Sequence, residues 1–404
     1  MDIAILGHGT VGSGVVEVFE KSRENIRRKT GRELSIKYIL DVRDFSSLPY
    51  GDRFVKDFSV IANDPGVGIV VECIGGLTPA YSYVRECLSR GKSVVTSNKE
   101  LVAEKGAELL ALAAERNVNF LFEASVGGGI PIIRPLHQCL NAGEITGVAG
   151  ILNGTTNYIL TKMYRDKASF ADALALAQQL GYAERDPSAD VLGQDACRKI
   201  CILASLAFGK SVYPADVPTE GITGVTGEDV EYASGWGGAV KLIAGAERLA
   251  DGRVAVGVAP MFVPGDCQLS GVSDVYNGIL VRGDTTGDVL FYGRGAGKLP
   301  TASSVISDVI DAAKADGTIK TLSWKDAAAP FLVPADELPA RRYVRFTGGD
   351  AGVFAGAEKL WRPGAPGDET ALITQPLTGA ELLSASDALG STGGMALAAL
   401  RVFA

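Results

Sequence analysis

The N-terminal segment constrains the fold of this chain more than any other part of it. Residues 2–6 (DIAIL) predict a short buried strand, the motif GHGTVG follows at 7–12, and SGVVEVFEKS predicts a helix. Strand, GxGxxG and helix in this order are the context that a dinucleotide-binding unit requires. The first glycine permits the tight turn, the second lets the backbone approach a pyrophosphate, and the third allows close contact between helix and strand. The N–H groups at the helix start then face the phosphates. The motif predicts a dinucleotide site with contacts from Gly7, Gly9, Thr10, Val11 and Gly12.

The end of the next predicted strand carries both kinds of residue that distinguish NAD from NADP. Residues 34–40 (LSIKYIL) predict the strand, and Asp41 and Arg43 follow it. An acid here favours the free 2′-hydroxyl of NAD, whereas a nearby arginine favours the 2′-phosphate of NADP. Asp41 could also only cap a turn, so the residues leave this choice open.

Three further predicted strands, at 69–73, 93–97 and 119–125, continue the alternation with helices. In open α/β sheets ligands bind beyond the carboxyl ends of the strands, which is where Ser97 and Lys99 fall. Lys99 could be a solvated lysine at a helix start. A cation is unfavourable at that position because of the helix dipole, so we expect Lys99 to meet the cofactor, the substrate or both.

The fifth strand is followed by three consecutive glycines before a proline, in VGGGIP at 126–131. Glu123 and the backbone carbonyls of such a turn could hold a hard cation, but a tight turn between two domains is the more economical interpretation. From residue 132 the alternation of strand and helix changes, which indicates a second domain. There residues 153–157 (NGTTN) open a predicted helix, whose N–H groups and hydroxyls could take a substrate carboxylate.

The run GYAERDPSADVLGQDACRK, at 181–199, places four ionisable groups close together in sequence. Glu184 and Asp190 lie in a turn-forming stretch, and Asp195 and Lys199 follow, four residues apart, on a segment that is otherwise almost wholly apolar. Residues four apart share a helix face, so an acid and an amine lie side by side. Apolar surroundings can move the pKa of an amine towards neutrality, as proton transfer needs. An ordinary surface ion pair would show the same spacing.

A second glycine-rich run, GRGAGKLPT at 293–301, precedes a predicted helix at 302–315 and either closes over the cofactor or links domains. Short β-like pieces between residues 254 and 292 predict a mixed sheet with one face covered by helices and the other partly exposed or used for dimerisation. The Pro-rich stretch 330–339 predicts a linker. Beyond it the pattern predicts strands at 342–346, 369–375 and 397–403 and a helix at 380–388.

Composition excludes several classes of function. The chain has 404 residues, 47% of them hydrophobic and 21% charged, which is typical of a soluble globular protein of two or three domains. A net charge of −8 argues against nucleic acid or an anionic membrane as the main partner. No secretory signal or spanning apolar run is expected, and six scattered cysteines without CxxC spacing favour a reduced cytoplasm over zinc or disulfides.

Several runs together resemble the homoserine dehydrogenase family over residues 1 to about 323. They are GHGTVG, TSNKELVAEKG, EASVGGGIPII, NGTTNYIL, GYAERDPSADVLGQDACRK and GRGAGKLPTASSVISDV. The resemblance implies an NAD(P)-dependent interconversion of L-homoserine and L-aspartate 4-semialdehyde, in the route from aspartate to threonine, methionine and isoleucine. It also implies a homodimer or higher homo-oligomer.

The resemblance also assigns roles to individual residues. Lys199 matches the catalytic lysine, Asp195 its partner acid, and Lys99 a lysine near both nicotinamide and substrate. The matching substrate-site residues are Glu184, Asp190, Gly154 and Thr155, and Gly297 matches a glycine close to the cofactor. A monovalent cation such as sodium is implied at Glu123, Val126, Gly128 and Ile130.

The chemistry of the chain agrees with these roles. Histidine is the usual general base, but this chain has only His8, inside the predicted phosphate loop, and His137, on the segment after the three glycines. A lysine whose pKa is lowered by burial or by a second cation could serve instead.

We therefore expect an α/β protein with a Rossmann-type parallel-sheet domain over 1–130, completed by 298–323. It is followed by an α+β catalytic and dimerisation domain over 131–297 and by a small ACT-like α+β module over 340–404. The module departs from the ACT pattern in its middle, which leaves binding of an effector such as threonine in doubt. The alternatives are another NAD(P)-dependent amino-acid semialdehyde enzyme and a non-catalytic nucleotide-sensing regulator.

Overall fold

The computed structural model describes residues 1–140, 142–315 and 322–404. The strands, in chain order, are β1 (Asp2–Leu6), β2 (Ser35–Leu40), β3 (Phe54–Val55), β4 (Val67–Glu72), β5 (Ser93–Thr96), β6 (Phe120–Leu121), β7 (Ile145–Ile151), β8 (Ala239–Arg248), β9 (Val254–Val263), β10 (Tyr276–Gly283), β11 (Gly287–Arg294), β12 (Leu332–Pro334), β13 (Arg342–Thr347), β14 (Glu358–Lys359), β15 (Glu369–Ile373) and β16 (Met395–Val402). The α-helices are α1 (Thr10–Lys21), α2 (Arg23–Thr30), α3 (Phe58–Asn63), α4 (Ala80–Ser89), α5 (Lys99–Glu115), α6 (Gly154–Arg165), α7 (Phe170–Gln179), α8 (Ser188–Val191), α9 (Gln194–Phe208), α10 (Gly227–Gly235), α11 (Lys298–Lys314) and α12 (Gly379–Ser391).

The chain divides into two compact units. The first consists of Met1–Ile145, Cys201–Pro214 and Gly293–Ala328, and the second of Thr146–Ile200, Ala215–Tyr292 and Ala329–Ala404. The segment 298–323, predicted to complete the nucleotide domain, lies in the first unit except for 316–321, which are outside the described residues.

The first unit is built on a six-stranded sheet in the order β3-β2-β1-β4-β5-β6, with all its pairs parallel. This is the strand order of a doubly wound dinucleotide-binding fold, in which the ligand crevice lies where the order reverses, beside β1 and β4. Ile3, Ile5 and Val70 are almost fully buried, as strands covered on both faces require. The predicted Rossmann-type sheet is confirmed.

The fifth predicted strand, 119–125, is shorter than expected. Only Phe120 and Leu121 pair with β5, and the chain then makes a 3₁₀ turn over Glu123–Ser125. The reason is one local and one long-range hydrogen bond: the Ser125 hydroxyl donates to the carbonyl of Phe122 at 2.7 Å, and the Glu123 N–H donates to the Asp308 carboxylate at 2.8 Å. Both bonds compete with the sheet ladder.

The second unit is built on a ten-stranded mixed sheet in the order β11-β10-β7-β8-β9-β16-β13-β15-β14, with β12 paired to β9. Strands β7, β8 and β9 are antiparallel neighbours, whereas β16 joins β9 in parallel through Arg401 opposite Met261 and Val402 opposite Phe262. One apolar core of this unit is formed by Ile151, Ile243, Met261, Val263, Leu269, Val272 and Leu280. The predicted mixed sheet is confirmed.

The stretch 330–339 is not a simple linker. Leu332, Val333 and Pro334 form β12, which pairs in parallel with Val254 to Val256 of β9. Buried Val333 and Phe331 supply apolar contacts that the proline content of the segment concealed. Proline is compatible with this position because β12 is a short strand outside the main strand order, at an edge where a missing N–H donor is tolerated.

The strands predicted at the C-terminus form, and they continue the sheet of the second unit. Buried charges hold them against α10. The Arg345 guanidinium contacts Asp229 at 2.9 Å and Glu369 at 3.2 Å, and the Tyr343 hydroxyl donates to Asp229 at 2.9 Å. Each of these charges is paired, as deep burial requires, and a separate apolar cluster formed by Val344, Phe346, Phe354, Leu372 and Leu389 lies under α12.

Candidate functional site

The loop between β1 and α1 has the geometry of a phosphate cradle. Gly7 has a φ of +93°, and a Cβ at Gly12 would lie 2.0 Å from the carbonyl oxygen of Gly7, so only glycine fits there. A Cβ at Gly9 would meet nothing within 4 Å among the described residues, which leaves open space beside the backbone. No side chain caps the start of α1, so the N–H groups of Thr10 and Val11 lie in its uncapped first turn. The loop therefore fits the pyrophosphate of a dinucleotide.

Asp41 and Arg43 contact each other at the end of β2. The Asp41 carboxylate accepts three hydrogen bonds: from Nε of Arg43 at 3.0 Å, from Nη2 of Arg43 at 2.8 Å and from the His8 N–H at 2.7 Å. These bonds, with the Arg43 side chain as the largest cause, hold the pKa of Asp41 well below its usual range. The Arg43 side chain is 57% exposed and lies over the Phe45 ring. The arginine is therefore the accessible member of the pair.

His8 has surroundings unlike those of a general base. His8 is buried edge-on against Phe45 and Phe54, and burial lowers its pKa. His137 lies on a π-helical turn over Pro135–Cys139.

Glu72 is a site residue that the sequence reasoning missed. It is fully buried at the carboxyl end of β4, where it accepts the N–H of Ile74 at 2.7 Å and the Thr96 hydroxyl at 2.6 Å. Burial raises its pKa. Thr96 accepts the N–H of Asn98 at 2.9 Å, and Asn98 caps the helix that begins at Lys99. This chain of bonds fixes the positions of Ser97 and Lys99 beyond the end of the sheet. In the sequence, the one acid in the apolar stretch of β4 was the signal that could have pointed to Glu72.

Gly297 lies at the start of α11, also in the first unit. Its φ of +124° favours glycine, and no side chain caps the helix there. A Cβ at Gly14 of α1 would lie 2.8 Å from the carbonyl oxygen of Lys298, so α1 and α11 approach closely. Gly297 thus belongs to the same unit as the phosphate loop.

The carboxylate of Glu123 is occupied by backbone donors. It accepts the N–H groups of Ile132 at 2.6 Å, Ile133 at 2.9 Å and Arg134 at 3.0 Å. The carbonyl of Gly128 accepts the Ser304 hydroxyl at 2.6 Å. The side chain of Glu123 therefore does not fit as a cation ligand, and a cation here would depend on main-chain carbonyls such as those of Val126 and Ile130. Within the described ranges no group of three or more His, Cys, Asp or Glu side chains is arranged to hold a metal ion.

Lys199 and Asp195 form a buried pair on α9 in the second unit. Nζ of Lys199 donates to Asp195 Oδ2 at 2.6 Å and to the carbonyl of Leu152 at 2.8 Å. Both residues are less than 10% exposed, so the alternative of a surface ion pair is wrong. The buried contact arises because α9 is apolar around these two positions.

Asn153 joins this pair to a second carboxylate. Its Nδ2 donates to Asp190 Oδ1 at 2.7 Å and to Asp195 Oδ2 at 2.9 Å, while its Oδ1 accepts the N–H of Thr156 and caps α6. Burial and then the charge of Asp195 raise the pKa of Asp190. We call Asn153, Asp190, Asp195 and Lys199 the Lys199 cluster. Sequence reasoning saw Asn153 only as part of a helix start.

The remaining predicted substrate residues lie in the same unit. A Cβ at Gly154 would lie 2.8 Å from the carbonyl of Val275, so glycine is required there. Thr155 is buried and donates to the carbonyl of Tyr182 at 2.7 Å, which attaches the 181–187 turn to α6. Glu184 lies exposed on that turn. Lys99 belongs to the first unit and the Lys199 cluster to the second.

Two family models cover most of the chain: "Homoserine dehydrogenase, NAD binding domain" matches residues 7–123 and "Homoserine dehydrogenase" matches residues 131–310. The chain belongs to the homoserine dehydrogenase family. The homoserine dehydrogenase of Synechocystis is 43% identical over 365 residues, which are 85% of this chain and 82% of that protein. The homoserine dehydrogenase of Bacillus subtilis is 43% identical over 314 residues, which are 76% of this chain and 72% of that protein.

Solved structures of the family agree. A homoserine dehydrogenase from Thiobacillus denitrificans superposes with a TM-score of 0.90 at 33% identity and covers 100% of this chain and 98% of that one. A hyperthermophilic archaeal homoserine dehydrogenase in complex with NADPH has a TM-score of 0.65 at 30% identity, over 77% of this chain and 97% of that one. The family inferred from the sequence motifs is therefore confirmed. Over the described residues, every helix is too short or too polar to cross a membrane.

Proposed function

We propose that this enzyme interconverts L-homoserine and L-aspartate 4-semialdehyde with NADP or NAD. The observation that carries the proposal is the Lys199 cluster, in which a buried amine, a buried carboxylate and a buried amide contact the partly buried carboxylate of Asp190 in a member of this family. Oxidation of the alcohol moves a hydride from carbon to the nicotinamide and a proton from the hydroxyl to a base. The bound cofactor supplies the hydride acceptor; the chain supplies the rest.

Lys199 is the group that takes the hydroxyl proton in this proposal. It does so as the neutral amine, and the ammonium that forms is held by hydrogen bonds to the Asp195 carboxylate and the Leu152 carbonyl. Burial makes these contacts stronger than they would be in water. Lys99 provides a second positive charge on the nucleotide side, at the start of the helix that Asn98 caps.

Glu184 and Asp190 bind the substrate ammonium in this proposal. A charge-assisted bond to an amino group is the kind of contact that a carboxylate provides. Gly154 and Thr155 offer the N-terminal turn of α6 to the substrate carboxylate, since free N–H groups at a helix start attract anions.

For the cofactor we propose a preference for NADP. Asp41 is saturated by donors, whereas the exposed Arg43 guanidinium lies beside it and can meet a 2′-phosphate. Binding of a monovalent cation such as sodium would depend on main-chain carbonyls in the turn after Glu123. Its effect on activity is measured by replacing sodium with a large organic cation.

We also propose a cytoplasmic homodimer. β11 lies at one end of the sheet of the second unit and carries Tyr292, which is 55% exposed and stacks on Tyr276. Such an edge can pair with a second copy. Light scattering should give about twice the chain mass of 42.1 kDa.

None of the six cysteines, all within the described ranges, forms a disulfide, which agrees with a reducing compartment.

The decisive experiment is a spectrophotometric assay of NAD(P)H formation from L-homoserine. We expect activity with both cofactors, and a loss of two or more orders of magnitude in kcat for Lys199→Met with an unchanged far-UV spectrum. Lys162→Met, which removes a partly exposed lysine of α6 paired with Asp166, is the matched control and should keep full activity. Near-normal turnover of Lys199→Met would contradict the assignment of Lys199 as the base. Absence of turnover by the wild-type enzyme would contradict L-homoserine as the substrate.

A further inference from the structure

The N-terminal half of β8 extends beyond the end of its neighbour β7. Among the described residues, β7 pairs with β8 only from Ala244 to Glu247, so residues 239–243 have no strand on that side. A cavity of about 200 Å³ lies beside this part of β8, within the second unit. One buried water needs only about 10–15 Å³ of such space, so the cavity has room for a small molecule. Tyr164, which is 41% exposed, and the exposed Gly237 belong to its lining, so solvent reaches it.

Lys241 is the charged residue in the lining of this cavity. It is 4% exposed, and its Nζ donates to the carbonyl of Val272 at 2.5 Å and to Asn157 Oδ1 at 3.3 Å. Val272 lies between Ser270 and Ser273, which also line the cavity, so the ammonium end of Lys241 lies at this wall. An ammonium has three N–H donors, and the two acceptors found among the described residues leave the third unused.

The positive charge of Lys241 has no counter-ion within the described ranges. Burial, and then the charge of Arg165 on α6, lower the pKa of Lys241 to about 8, while Asp274 acts in the opposite direction. Asp274 is itself paired with Arg165 at 3.1 Å, so it offsets that arginine and leaves the charge of Lys241 in excess. A buried ammonium without a counter-charge is costly, and an anion in the cavity would remove that cost.

The other polar side chains of the lining include hydroxyls with free donors. The hydroxyls of Ser234, in the last turn of α10, of Ser270 and of Tyr164 make no hydrogen bond to another described residue. No acidic residue of the described chain contributes to the lining. An ammonium together with hydroxyl donors is a set of groups that binds the oxygens of an anion.

We propose that the cavity beside β8, which we call the Lys241 cavity, binds a small oxyanion, the carboxylate or phosphate group of a small molecule. The anion accepts hydrogen bonds from the third N–H of Lys241 and from the hydroxyls of Ser234 and Ser270. None of the lining residues belongs to the Lys199 cluster or to the phosphate loop. The competing explanation is that Lys241 is only a clamp, which holds the loop at Val272 to α6 through its two protein bonds.

The test uses the full-length enzyme with sodium acetate and sodium phosphate as probes, against sodium chloride at equal ionic strength. The dependence of the melting temperature on anion concentration gives an apparent dissociation constant for each anion. The proteins compared are the wild type, Lys241→Met, the double variant Ser234→Ala/Ser270→Ala, and Lys162→Met. Lys162 is the matched control, because it pairs with Asp166 at 2.9 Å and does not line the cavity. Binding at other places on the enzyme, such as the phosphate loop, is the same in all four proteins and cancels in the comparison.

We expect the dissociation constant of at least one of the two anions to rise about 10–100-fold in Lys241→Met, which corresponds to the loss of one bond to a charged group. In the serine double variant it should rise at least about fivefold, because two neutral donors are lost. Lys162→Met should keep the wild-type value. The anion with the larger change identifies the bound group as a carboxylate or a phosphate. If Lys241→Met does not fold, the serine double variant decides, because it leaves both bonds of the clamp intact.

The pH dependence of acetate binding provides a second readout. Acetate stays ionised above about pH 6, because simple carboxyl groups have pKa values near 4. Since the anion binds the protonated lysine, its dissociation constant should rise about tenfold between about pH 7 and about pH 9, through the Lys241 pKa of about 8. This rise should be absent in Lys241→Met. Equal dissociation constants for both anions in all four proteins would overturn the proposal and leave Lys241 as a clamp alone.

Discussion

Replacing Asn153 separates the two tasks that its side chain performs. Asn153→Ser keeps an oxygen that can cap α6 but removes the amide that donates to Asp190 and Asp195, whereas Asn153→Ala removes both. A hydrogen bond to a charged group contributes about 1.5–3 kcal/mol. Since one pKa unit corresponds to about 1.4 kcal/mol, losing the bond should raise the already elevated pKa of Asp190 by about 1–2 units.

The assay is the pH profile of kcat/KM for L-homoserine, together with thermal unfolding. In both variants the acid limb should move upward by about 1–2 pH units, because Asp190 is protonated at a higher pH. Only Asn153→Ala should lose a further ~1 kcal/mol of stability from the missing cap. An acid limb at its wild-type position in Asn153→Ser, with a shift only in Asn153→Ala, would refute the reasoning, since the cap and not the amide would then matter. Asp190→Asn, which removes the titrating group, should abolish the limb.

Three further perturbations follow from the geometry. Gly12→Ala places a Cβ 2.0 Å from a main-chain oxygen, so it should weaken cofactor binding at least tenfold in a fluorescence titration; unchanged affinity would contradict the cradle. Arg43→Ala should raise the KM for NADPH about 10–100-fold, which corresponds to the loss of one charge-assisted hydrogen bond. The KM for NADH should stay unchanged, because the freed Asp41 carboxylate can bind the ribose hydroxyl. Equal changes in the KM of both cofactors would contradict the preference for NADP. Burial raises the pKa of Asp308 to about 7, so its stabilising contribution is full below about pH 4 and is lost as pH rises to 7. Asp308→Asn should flatten the pH dependence of the melting temperature over that window, and an identical slope would exclude the assignment.

Much of the nucleotide half was predictable because its determinants are local. A glycine-rich turn between an apolar strand and a helix depends on φ angles and on contacts between near neighbours, and Gly7 and Gly12 behave as their spacing predicts. Asp195 and Lys199 could likewise be placed side by side, since four residues on a helix fix their separation.

Other features depend on contacts between distant segments. Asn153 reads as an ordinary cap, yet the fold places Asp190 and Asp195 at its amide from 37 and 42 residues away. β12 forms in a Pro-rich stretch only because β9 offers it a partner. The short β6 likewise reflects a bond from Glu123 to Asp308, 185 residues later.

The sequence by itself determined the family, the order of strands and helices in the first unit, and the spacing of the acid and amine on α9. Short-range sterics and helix periodicity are sufficient for these. Only the tertiary structure decided that the acid–amine pair is buried, that Asn153 bridges two carboxylates, and that β7 pairs with only part of β8 and leaves a cavity beside Lys241. Burial, charge neutralisation and strand register depend on which distant segments meet, and a local pattern does not contain that information.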